Sequence, residues 1–239
     1  MASSSSRARR LACPAVLALL LAAGAAQAQD IPAAKLAPGF TSRPAASRLV
    51  IIPADMELFS ISAGGLQEPR ADWTEQAQKN LAAAFAADHA HLGSDIVQLS
   101  QAQMEEFEDI QALHRAVASA ISMHHLGNLK LPTKNDKLQW SLGAAVRPLK
   151  DKTGADYALF TYLRDSYAST ERKLTMLGMA LFGAFTPGGD QQGYASLVDL
   201  NTGRVVWFSG ISRSWGDLRD GGAASETVDW LLKDFPEAK

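Results

Sequence analysis

Cysteine is all but missing from this sequence. The only one, Cys13, stands near the start of a 239-residue chain, at the very beginning of the first apolar run. A disulfide framework, a thiolate metal centre and a cysteine nucleophile are therefore excluded from any domain that follows. A lipid-bearing cysteine follows an apolar run, so Cys13 is not expected to carry lipid. A strong field of either sign is also lacking. The formal net charge is −2, which offers phosphates nothing to gather on and argues against a nucleic-acid partner. No apolar run reaches the ~20 residues of a spanning helix. Gly-x-Ser-x-Gly elbows and Gly-x-x-x-x-Gly-Lys phosphate loops are absent too; "TPGGDQQGY" and "RDGGAAS" read as turns.

What is present begins with an export signal. Arg7, Arg9 and Arg10 precede an apolar run from Leu11 to about Gly24, followed by Ala26-Gln27-Ala28. A basic start, a short apolar segment and a small-x-small site together predict a signal peptide over 1–28, and hence a periplasmic or secreted protein. Removing three arginines makes the remainder more acidic. Residues 29–47 are rich in Ala and Pro without apolar periodicity and read as a flexible leader. One domain is expected over 48–239, long enough to bury its own core.

Within it, "RLVIIPADMELFSIS" is β-branched at its start and predicts a strand with an edge or bulge at Pro53. Asp72-Trp73-Thr74-Glu75 resembles a capping box, and Trp73, Ala77, Leu81 and Phe85 recur at helical spacing to about His89. "SDIVQLS" predicts a short strand. Ser100 with Gln103 predicts a second capping box, opening a helix that stops near Gly127. Leu138, Leu142, Val146 and Leu149 suggest a third helix from about Asp136 to Gly154. "ADYALFTYLRDSYAS" predicts a strand. "YASLVDL", the turn Asn201-Thr202-Gly203 and "RVVWFSGISRSW" predict a late antiparallel hairpin, and a last helix runs from about Ser225 to Pro236. The expected class is α/β: a mixed sheet of about five strands packed with about four helices.

Gly154-Ala155-Asp156-Tyr157, followed by Asp199, Thr202, Gly203 and Trp207, resembles a strand and hairpin of the curli-secretion lipoprotein family, the TolB N-terminal domain and the penicillin-binding-protein activator lipoproteins. The resemblance spans about sixty residues. It implies an α/β module that acts in the cell envelope by binding and assembly, without catalysis. This chain departs from the lipoprotein members in having no usable lipobox. "LVIIPADMELFSISAGG" and "WTEQAQKNL" resemble uncharacterised exported proteobacterial proteins.

Candidate chemistry is sparse. His89 and His91 would point about 200° apart on a helix, and His124-His125 lies at a second helix end. Both pairs fit dipole-complementing termini better than ligands, so no metal and no cofactor are expected. Asp55 and Glu57 share a strand face, with a solvated polar edge as the simpler reading. The acids Glu105, Glu106, Glu108 and Asp109 suit a helix start. Trp207 and Trp215 could share an aromatic surface.

The segment "LTMLGMALFGAFTPGG", 174–189, carries no charge until it ends. Leu174, Leu177, Leu181 and Phe185 would line one side of a short helix, with Met176, Met179 and Phe182 around the rest. An element apolar all round is either buried across the sheet or faces something other than water. The expected function is an exported binding or assembly module that contacts envelope proteins or the membrane surface through these seven residues, with self-association as a further option. The alternative is an exported hydrolase whose site is assembled from distant residues. Intact-mass measurement of exported material should show Gln29 at the N-terminus; retention of Met1, or a lipid adduct on Cys13, would overturn the export reading.

Overall fold

The computed structural model describes residues 34–127, 129–184 and 188–239. The expected signal peptide over 1–28, the first residues of the expected leader and Phe185 lie outside them. Nine strands form one mixed sheet: β1 (Lys35–Leu36), β2 (Leu49–Ile51), β3 (Asp55–Ile61), β4 (Gln67–Pro69), β5 (Ile96–Gln98), β6 (Trp140–Ser141), β7 (Tyr157–Ala168), β8 (Gly189–Asp199) and β9 (Arg204–Arg213). The main order is β1-β9-β8-β7-β2-β5, with β3 between β7 and β4, and β6 beside β9. Helices α1 (Ala71–Ala87), α2 (His89–Leu92), α3 (Gln101–Met104), α4 (Glu108–Ile121), α5 (Arg147–Thr153), α6 (Thr170–Ala180) and α7 (Gly221–Leu231) complete the domain.

Two apolar layers explain why the central strands are so uniformly hydrophobic. On one face, Leu49, Ile51, Leu159, Leu163, Leu197 and Trp207 pack with Leu81 and Phe85 of α1 and Val228 and Leu231 of α7. On the other, Val50, Ile52, Phe160, Val198 and Phe208 meet Ile110, Ala118 and Ile121 of α4 and Leu149 of α5. Strands covered on both faces must be apolar at every position, which is how Leu49, Val50 and Ile51 come to be buried in succession.

Pro53 bulges the first strand, as its position suggests. Ile51 stands opposite Leu159 and Asp55 opposite Tyr162, so one strand spends four steps where β7 spends three. The extra residue reverses parity: odd-numbered Leu49 and Ile51 face the α1 layer before it, and even-numbered Met56 and Leu58 after it. A second bulge interrupts the hairpin, where Leu197 pairs with Trp207 but Val198 with Val205. Val205 consequently joins the α4 layer while Trp207 joins the other, although plain alternation puts them on the same face.

Three local readings change. The box at Asp72 does not form: α1 opens at Ala71 and Asp72 accepts from Arg70 at 3.0 and 2.7 Å. The box at Ser100 does form, with Gln103 answering it. The helix expected from Asp136 is β6, a 3₁₀ turn and then α5, which starts at Arg147 with Pro148 in its first turn and ends at Gly154 in the left-handed region. Leu138, Leu142, Val146 and Leu149 are buried nonetheless, so the periodicity marked core positions without marking a helix. Folded structure also reaches back to Ala34, before the start anticipated at Arg48. Lys35 and Leu36 pair with Phe208 and Trp207, and buried Arg43 donates to the carbonyls of Leu92 (2.8 Å) and Pro236 (2.9 Å).

The hairpin turn supplies a test of the tight packing. Gly203 has φ +73°, and a Cβ there would stand 2.1 Å from the carbonyl oxygen of Gly143. Gly203→Ala should lower stability by roughly 2 kcal/mol or more, read as a shift in the urea midpoint, because left-handed strain and a backbone clash add.

Candidate functional site

The uncharged segment is not core. Strand β7 ends at Ala168, and Ser169 caps α6 by accepting from the backbone N–H of Arg172 at 3.2 Å. No residue of α6 is buried. Leu174 is 66 % exposed, Leu177 64 %, and beyond the helix Leu181 81 % and Phe182 90 %. At 100° per residue Leu174, Leu177 and Leu181 form one stripe, while Arg172 and Met176 lie on the opposite side. Arg172 Nη1 reaches the carbonyl of Ser62, and Met176 folds back within 3.7 Å of the position a Cβ of Gly188 would occupy. Met179 is partly exposed and Phe185 lies outside the described residues. The apolar stripe therefore points away from the domain, and a buried crossing of the sheet is ruled out for the described part of the segment.

Beneath the root of α6 lies a buried polar chain that sequence reading missed. Asp165 is buried on β7 and accepts from the hydroxyl of Tyr167 and from Gln191 Nε2 at 2.7 Å. Gln191 Oε1 accepts from Nε of the fully buried Arg213 at 2.7 Å. Arg213 also donates to Thr227 Oγ1 at 2.6 Å and to Glu226 at 3.1 Å, and the Tyr167 oxygen accepts from the Leu218 N–H at 2.8 Å. Buried acid and buried cation thus communicate through an amide instead of touching. Burial pushes the Asp165 carboxyl up to about 7, against the opposing pull of its two donors. Strand parity was the available signal: odd positions of β7 such as Leu159 and Leu163 face the layer shared with α1 and α7, and Asp165 is odd. A small cleft of about 90 Å³ opens beside it, lined by Tyr167, Gly189 and Trp215 among others.

The other candidates resolve individually. Asp55 and Glu57 do share a face, but Asp55 is held by Arg164 (3.0 Å) and Arg115 (2.6 Å), with Arg164 3.9 Å from Glu57, which makes them ion-pair partners and not an acid–base couple. Trp207 is buried and Trp215 lies beyond β9 with its ring partly exposed, so they share no surface. His125 accepts from Trp140 Nε1 at 3.0 Å and faces Asp136 at 3.3 Å, and burial lowers its pKa. His124 lies parallel to the Trp140 ring. His89 Nδ1 lies 3.4 Å from the Gly93 carbonyl, whereas His91 meets Asp88 at 2.9 Å.

A serine–histidine pair does exist. His114 Nε2 lies 2.5 Å from Ser196 Oγ. Both residues are buried, the imidazole stacks on Phe160 at 4.0 Å, and burial drives its pKa to about 3. No carboxylate hydrogen-bonds the imidazole among the described contacts, and both side chains are sealed in the core. It works as a polar tie between α4 and β8.

No family model matches the sequence, and no curated relative does. Among solved structures the fold distantly resembles PelC from Paraburkholderia phytofirmans, described as a dodecamer, at 11 % identity and a TM-score of 0.43 over 87 % of this chain and 97 % of that one. It also resembles lipoprotein GNA1162 from Neisseria meningitidis (12 %, 0.34, over 78 % and 96 %) and the LpoB C-terminal domain from Salmonella enterica (12 %, 0.28, over 74 % and 87 %). These likenesses concern the outline of the fold.

The polar chain makes stability depend on pH. A carboxyl raised from 3.8 to about 7 on folding favours the folded state while protonated, so its contribution is complete below pH ~4 and is lost as pH rises to about 7. Asp165→Asn keeps an acceptor for Tyr167 and Gln191 and removes the ionisation. Urea unfolding at pH 5 and pH 8 should show a smaller loss for the variant, by roughly 2–3 kcal/mol.

Proposed function

We propose that this chain is an exported, non-catalytic docking module of the cell envelope, and that it seats the outward stripe of α6 in the interfacial layer of a bilayer. The observation that carries this reading is the direction of the stripe: Leu174, Leu177 and Leu181 face solvent while Arg172 faces the domain. Ordinary surface helices do the reverse. Burying each of these side chains elsewhere is worth roughly 1.5–3 kcal/mol. With Phe182 the patch has enough apolar area for reversible attachment.

Geometry favours a helix that lies on the membrane over one that crosses it. Eleven residues make α6 about 16 Å long, roughly half of a hydrocarbon core. Among the described residues no helix is long and apolar enough to cross a membrane. Lys173 flanks the stripe and can reach headgroups. Export supplies the compartment in which such a surface meets a membrane, and an uncleaved anchor is not required for it.

Vesicle co-sedimentation tests the reading. Leu177→Asp with Phe182→Asp should leave the melting temperature within about 1 °C, since neither side chain is buried, and should abolish sedimentation with vesicles of mixed zwitterionic and anionic lipid. If the unaltered protein fails to sediment but self-associates or is captured by an envelope protein, and the double variant is not, the stripe is a protein contact and the bilayer reading falls.

A further inference from the structure

We propose that Asp88, His91 and Asp229 form a binding site for a first-row divalent transition metal of the zinc type. The three residues come from two places in the chain. Asp88 sits at the corner between α1 and α2, His91 lies three residues on, and Asp229 is on α7. One ligand atom from each lies within 4.8 Å of the other two. A cation with bonds of about 2.1 Å closes that spread with sub-ångström movements of the side chains.

Charge is the second argument. Two carboxylates converge, and neither is within ion-pair distance of a Lys or Arg among the described residues. By contrast Asp55 is matched by two arginines, Asp217 by Arg219 and Asp72 by Arg70. The single imidazole serves both oxygens of Asp88, its Nδ1 lying 2.9 Å from each. A divalent ion supplies the positive charge that the site lacks.

The donor set chooses the metal. One imidazole and two carboxylates suit zinc and its first-row neighbours, whereas calcium and magnesium take oxygen cages. Three protein ligands leave a coordination position open to water. The surrounding chain is firmly held: the backbone N–H of His91 donates to Asp88 at 3.2 Å, and buried Arg43 donates to the carbonyls of His91 and Leu92. Binding would tie the α1–α2 corner to α7, two elements that otherwise meet through apolar packing.

The helix-end reading of His91 describes its local bond to Asp88 and leaves out Asp229, which is distant in sequence and invisible to spacing. Metal-stripped protein titrated with zinc chloride should bind one equivalent by calorimetry and show a saturable rise in melting temperature of about 5 °C or more, because a ligand specific to the native state raises stability. Asp229→Asn, an exposed position, and His91→Gln should each weaken binding by roughly tenfold or more, whereas His125→Gln should not. A titration without saturable binding, or binding unchanged in both Asp229→Asn and His91→Gln, would overturn the assignment.

Discussion

Strand β7 is the constraint on which the rest of the structure depends. It is hydrogen-bonded along one edge to β8 through eleven register positions, and along the other to β2 and then β3. With both edges occupied and ten of its twelve residues buried, few polar groups on it can reach water. Each buried exception costs stability unless it is satisfied from inside, and Thr161 Oγ1 is left without a partner among the described residues. Asp165 is such an exception. Its partners Tyr167 and Gln191, and the relay onward to Arg213 and Thr227, follow from placing a carboxyl on the inward parity of a strand that has no free edge.

The same strand explains the neighbouring irregularities. β7 is regular, and the irregularities lie around it: the bulge at Pro53 between the strands along one edge, and the bulge near Val206 one strand further on at the other side, where β9 pairs with β8. Each shifts parity by one residue, which moves side chains between the two core layers. Met56 and Leu58 thereby continue the layer begun by Leu49 and Ile51.

Much of this was legible in the sequence because local rules and tertiary structure agree. Pro53, the Ser100–Gln103 box, Gly154 and the Gly203 turn all specify what they appear to specify. Reading failed where a pattern had two structural solutions. Leu138, Leu142, Val146 and Leu149 recur every three or four residues, and a strand, a 3₁₀ turn and a short helix bury them as well as one helix would. Asp72 lost its capping role to Arg70, whose side chain offers the carboxylate two donors. Short strands such as β1, β4 and β6 are too brief to carry a periodic signal. The polar chain around Asp165 and the meeting of Asp88, His91 and Asp229 join residues far apart in the chain, which no spacing rule can anticipate.

The orientation of α6 follows from its root. Ser169 donates its backbone N–H to Ile61 and Ala168 donates to Gly188, so the segment leaves the sheet with both ends tied to neighbouring strands. Ser169 then caps the helix, and Arg172 reaches across to the Ser62 carbonyl. These polar contacts fix which side of α6 meets the domain, and they assign that side to Arg172 and Met176. With rotation set in this way, Leu174, Leu177 and Leu181 can only point outward. Comparison with α4 shows the inversion: there Ile110, Ala118 and Ile121 face the sheet and the acids Glu108 and Asp109 face water. In α6 hydrogen bonding at the base, and not burial of the apolar face, holds the helix in place. The leucines contribute little to the fold of the domain, and their apolar area stays free for a surface outside it.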